Sequence, residues 1–147
     1  FRWPTTLILE DDFEFVYDPN EFYALLDKML AELPSHWDML YLGAGYAESP
    51  ERRVSKHIIK CNGMATTSSY AVTPFAARKI APYIGGIGPI DCLYHKFNRE
   101  LETYIFDPRL CVQYTNHSDI QGRECNNAMS MLDKGHVERL DKATPPR

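Results

Sequence analysis

Hydrophobic and polar positions along the chain alternate between two periods, and the switches between them predict the elements. Thr6–Leu9 is a short apolar run in "TTLILEDDFEF", with β-branched and aliphatic residues and no polar interruption. Such a run predicts a strand buried on both faces. In "YDPNEFYALLDKMLAELP" the apolar residues Phe22, Leu25, Leu26, Met29, Leu30 and Leu33 recur at helical spacing. Asp18 suits the cap of that helix, Pro19 its first position, and Pro34 its end. "WDMLYLG", residues 37–43, predicts a second strand closed by Gly43. Strand, crossover helix and strand make a βαβ unit, whose two strands are expected to be parallel neighbours.

Residues 44–56 lack either period and predict a surface loop. "HIIKC" and "ATTSSYAV" predict strands joined as a hairpin through Asn62-Gly63. Thr73-Pro74 starts a helix over "PFAARKIAPYI", and "GGIGP", residues 85–89, breaks the chain before another helix near Asp91. "TYIFDP" and "CVQY" are short extended pieces on either side of Pro108. Strand signals fade from Asn116, and residues 140–147 predict a loosely ordered tail on one domain spanning 1–147.

Composition narrows the function. The chain has 147 residues, with 20 acids against 16 bases and a net charge of −4, and no long basic stripe. That balance argues against a sequence-independent grip on nucleic acid. No apolar run approaches the ~20 residues a bilayer span needs. Cys61, Cys92, Cys111 and Cys125 are far apart with no CxxC pair, so they predict mostly buried thiols, or a disulfide, rather than a zinc site. Asn116-His117-Ser118 fits the short glycosylation triplet.

Candidate chemistry begins with Glu10, Asp11 and Asp12, three acids where the first strand ends. Like charges repel, and a carboxylate beside a core needs a partner to offset lost hydration. Either the acids terminate a turn in water, or a cation sits among them. In open α/β sheets ligands gather outside the carboxyl ends of the strands, and carboxylates there can hold a divalent cation that in turn holds a diphosphate. Asp91, at a helix start after a glycine-rich segment, suits either an N-cap or a weak base. His117 suits either an exposed loop or a metal ligand. Ser68, Ser69 and Tyr70 suit an acceptor pocket or a strand with one wet face.

The succession "LEDD", amphipathic helix, "WDMLYLG", "SSYAVTPFAARKI", "GPID" and "VQYTNHSDIQG" resembles glycosyltransferase family 25 over roughly residues 5–122. That family includes lipopolysaccharide and collagen galactosyltransferases. The resemblance implies a GT-A-like α/β fold, a mixed sheet flanked by helices, here its C-terminal part. It implies Mn²⁺ or another divalent cation, a UDP-sugar donor and a glycan or protein acceptor. Carried over, Glu10, Asp11 and Asp12 contact metal and donor, with Asp12 the direct metal ligand and His117 completing the shell. Asp91 falls on the catalytic base of an inverting transfer, and Gln113, Ser118 and Asp119 on substrate contacts. Family members carry a half-domain ahead of the Glu-Asp-Asp strand that builds the nucleotide-base pocket, whereas these acids begin at residue 10. The expectation is therefore a fragment of a longer transferase, or a shortened relative serving as a non-catalytic carbohydrate-binding or assembly module. A calcium-stabilised structural domain is a further rival.

Overall fold

The structure is a computed structural model describing residues 4–46, 51–86, 88–113, 116–118 and 123–125, the last two segments as strands only. It is a mixed α/β fold. Six strands form one sheet: β1 (Thr6–Leu9), β3 (Met39–Tyr46), β4 (Arg52–Arg53), β5 (Ile58–Lys60), β6 (Met64–Val72) and β7 (Thr103–Phe106). Their order is β1-β6-β3-β7-β5-β4. Two further pairs stand apart: β2 (Phe13–Phe15) with β8 (Cys111–Gln113), and β9 (Asn116–Ser118) with β10 (Arg123–Cys125). Helices α1 (Pro19–Glu32), α2 (Pro74–Ile80) and α3 (Ile90–Phe97) complete the fold. Among the described residues no helix is long and apolar enough to cross a membrane.

The two-residue period of the strands divides the core. Met39, Tyr41, Ile59, Tyr70, Val72 and Ile105 face one side, where Ala76 and Ile80 of α2 and Leu93, Tyr94 and Phe97 of α3 cover them. Leu40, Leu42, Ile58, Ala71, Tyr104 and Phe106 face the other, against Met29, Leu25 and Leu26 of α1. Trp37 packs at the margin of that second layer. Caps form where the sequence places them. Asp18 accepts from the Asn20 and Glu21 amides at 2.9 and 3.1 Å, and Thr73 from the Ala76 amide at 3.3 Å.

Several expectations change. β1 and β3 are parallel, since each runs antiparallel to β6, but β6 lies between them and they are not neighbours. Among the described residues β1 is an edge strand, with Leu7 53% and Leu9 40% exposed, so an uninterrupted apolar run does not here mark a buried centre. Asn62-Gly63 does not close a hairpin: β5 pairs with β7 and β4, and β6 with β3 and β1. Residues 44–56 are not all loop, because β3 continues to Tyr46 and β4 follows. Gly43 does not end its strand. A Cβ there would lie 2.2 Å from the Cys111 carbonyl oxygen, so glycine is what lets β8 approach β3. The Leu110 amide then bonds the Leu42 carbonyl at 2.9 Å. Cys61 and Cys111 are buried thiols, whereas Cys92 is exposed. His57 is half-buried, and its ring Nδ1 lies 2.6 Å from Glu32 Oε1 at the end of α1.

Candidate functional site

The first strand delivers Glu10 to the carboxyl end of the parallel strands. Its amide donates to the Ser68 carbonyl at 2.9 Å, extending the β1–β6 ladder by one residue. The Glu10 carboxylate accepts a short bond, 2.5 Å, from the Thr67 hydroxyl on β6. Thr67 is placed by an irregularity. The β3–β6 register shifts between Tyr41 and Gly45, and Thr66 adopts a φ of 60°. A β-branched residue rarely takes that conformation, so the bulge is held by its surroundings. One such restraint is the Gly45 amide, which donates to the Thr66 hydroxyl at 2.9 Å.

Beyond Glu10 the chain turns. Asp11 is exposed, whereas Glu10 and Asp12 are half-buried. The β2–β8 ribbon then pairs Phe13 with Gln113. Across that ribbon the Gln113 side-chain amide donates to Asp12 Oδ2 at 2.6 Å. Asp12 Oδ1 is shielded from solvent and has no hydrogen-bond partner among the described residues.

Asp91 arrives from the opposite direction in sequence. α3 begins at Ile90 after Pro89, with no side-chain cap, and Asp91 sits inside its first turn. One Asp91 oxygen accepts from the following amide, Cys92 N–H, at 2.8 Å. One turn on, the Tyr94 hydroxyl meets the Tyr70 hydroxyl of β6 at 3.0 Å, fixing the start of α3 against the strand that carries Thr67. The result is an acidic cluster. Glu10 has its pKa raised, chiefly by burial; the Thr67 hydrogen bond opposes the rise, and the charges of Asp12, Asp91 and Asp11 add to it. None of these four acids forms an ion pair among the described residues.

The donor set is all oxygen and negatively charged, and it includes a buried carboxylate oxygen without a partner. That suits a hard divalent cation. Among the described residues no three His, Cys, Asp or Glu side chains are gathered as a ready metal shell. A cation that takes most of its coordination from phosphate oxygens and water, with one or two carboxylates from the protein, needs no such shell.

The structure thus brings Glu10, Asp12, Asp91 and Gln113 into one neighbourhood, although Gln113 contacts Asp12 where the sequence suggested a substrate contact. Asp11 adjoins them but is exposed. His117 and Ser118 lie on β9, paired in register with Glu124 and Arg123. Asp119 is outside the described residues. Ser68, Ser69 and Tyr70 are buried, and Ser68 Oγ donates to the Gly43 carbonyl at 3.0 Å, so this strand has no wet face there.

Sequence reading missed Thr67, the Tyr70–Tyr94 pair and buried Arg109, which donates to the Phe106 carbonyl at 2.6 Å. The run Thr-Thr-Ser-Ser in an otherwise apolar strand was the available signal for Thr67. A cleft of about 620 Å³ lies along Thr6, Ile8, Val72, Pro74 and Ala77, toward the other end of β1. Its walls are mostly apolar and bring no carboxylates together. No protein-family model, curated protein or solved structure matches this chain.

Proposed function

We propose that the chain is the catalytic part of a metal-dependent, inverting glycosyltransferase with a GT-A-like form of the mixed α/β fold, similar to family 25. It moves a galactose-like hexose from a UDP-sugar to a hydroxyl of a glycan or protein. The observation that carries this reading is the convergence of Glu10, Asp12 with its unpartnered oxygen, and Asp91 at the carboxyl ends of β1 and its parallel strands. Ligand sites of open α/β sheets lie at such ends.

Asp12 would hold the cation, and Glu10 and Asp11 would face the donor. A bound divalent cation supplies charge neutralisation for the departing diphosphate. Asp91 has one oxygen engaged by the Cys92 amide, and its carboxylate takes the proton from the acceptor hydroxyl. The acceptor oxygen forms its bond to the anomeric carbon as the bond from that carbon to the diphosphate oxygen breaks. The leaving oxygen keeps the electron pair, and the configuration inverts, giving a β-linked product from an α-linked donor. Among the described residues β1 is an edge strand beside exposed Leu7 and Leu9, an edge on which a further strand can pair.

A non-catalytic saccharide-binding module is the second reading, favoured by the lack of a ready metal shell among the described residues. Incubation with UDP-hexoses separates the two. Mn²⁺-dependent release of UDP supports transfer, whereas saccharide binding with no metal-dependent release supports the module.

A further inference from the structure

We propose that Gln113 is a positioning residue that commits Asp12 to one-oxygen coordination through Oδ1, and thereby favours a small octahedral cation over calcium. This rests on the sugar-transfer reading for the presence of a divalent cation at Asp12.

Three features of the geometry lead there. First, an ionised carboxylate only accepts hydrogen bonds, so the amide group facing it must be the Gln113 –NH₂, which cannot itself bind a cation. At 2.6 Å this charge-assisted bond occupies Oδ2. Second, the other oxygen, Oδ1, is buried and has no hydrogen-bond partner among the described residues, so all of its acceptor capacity is open to a ligand. Third, Gln113 is held in place rather than reaching by chance across 101 residues of chain. It is the register partner of Phe13, and the ribbon continues through the Val16 amide to the Leu110 carbonyl at 3.0 Å. Gly43 lets that ribbon lie against β3. On the other side of the turn Thr67 restrains Glu10 in the same manner.

Calcium takes six to eight oxygens and readily uses both oxygens of one carboxylate. Magnesium and manganese-sized cations take about six in octahedral geometry, usually one oxygen per carboxylate. The Gln113 hydrogen bond at Oδ2 competes with chelation through both oxygens of Asp12, and calcium loses more by this than manganese does.

The test uses Mn²⁺ and Ca²⁺ alone, without nucleotide. Mn²⁺ binding to the chain is read from the EPR signal of the free ion, and Ca²⁺ binding by competition. Gln113→Met keeps the length and packing of the side chain and removes the donor. Mn²⁺ affinity is expected to fall by about 10-fold or more, in line with the loss of an outer hydrogen-bond partner. Ca²⁺ affinity should fall much less, or rise, so the preference for Mn²⁺ narrows. Mn²⁺ binding within twofold of wild type overturns the proposal, and so does equal weakening of both cations, which marks a merely structural role. If Gln113→Met gives no cooperative melt, Gln113→Asn, one methylene too short to reach, carries the same comparison. Wild-type protein that binds no Mn²⁺ would instead overturn the metal-dependent reading itself, a failure seen before any variant is made.

Discussion

The hydroxyls of Tyr70 and Tyr94 lie 3.0 Å apart in the core, and their rings meet edge to face at 5.2 Å. Tyr70 belongs to β6, which carries Thr67, and Tyr94 to α3, which carries Asp91. This one contact therefore ties together the two elements that face Glu10. Burial raises the pKa of both phenols, so both stay protonated and one donates to the other.

Tyr94→Phe removes a hydroxyl and leaves the Tyr70 hydroxyl short of its partner in a buried place. It should cost about 1–2 kcal/mol in urea denaturation. Tyr70→Phe should cost a similar amount. The double variant should cost clearly less than their sum, because no orphaned hydroxyl remains. Additive costs would show that the pair is not a coupled unit.

Glu10 makes stability depend on pH. Its folded pKa is raised above the ordinary 4.5, chiefly by burial, so the folded state binds the proton more tightly than the unfolded chain. That contribution is full below 4.5 and is lost as pH rises through the folded value. Glu10→Gln should therefore melt higher than wild type at pH 7–8. The gain should be about 2–4 °C at most, because the group is half-exposed and solvent screens it. The gap should close as the solution is acidified toward pH 4.5. A gap that stays constant across this range would show that the buried charge is not its cause.

Asp91→Asn separates the roles of base and structural acid. Asp91 is not the cap of α3, and its bond from the next amide is one that asparagine can also accept. The melting temperature should move by no more than a few degrees. Sugar transfer should fall 10²–10⁴-fold, the usual contribution of a positioned base, while Mn²⁺ and UDP binding stay nearly unchanged. Transfer within a few-fold of wild type would move the base to another carboxylate.

The helices, their caps and the position of the acids were legible in the sequence because each rests on local signals. Asp18-Pro19 and Thr73-Pro74 specify helix starts within a few residues, and the end of an apolar run marks the end of β1. Strand order was not legible. Placing β6 between β1 and β3 depends on pairing Thr6 with Val72 and Met39 with Val72, contacts that no short window contains. The exposure of β1 was misread for the same reason, since an edge and a centre can share one composition. The acids of the candidate site were visible one by one in the sequence, but their contacts were not. Gln113 reaches Asp12 only because the β2–β8 ribbon forms, and Thr67 reaches Glu10 only because β6 bulges at Thr66.

On the proposed reading, the acidic turn at residues 10–12 holds a divalent cation together with a nucleotide diphosphate. Thermal melts of wild type and Asp12→Asn, each with Mn²⁺, UDP, both or neither, test it most directly. Wild type should be stabilised by Mn²⁺ and UDP together by more than by either alone. At 100 times the dissociation constant the stabilisation would be about 2.7 kcal/mol, several degrees for a chain of this size. Asp12→Asn should fold and lose that response. No joint stabilisation of wild type, or an equal response from Asp12→Asn, would contradict the account.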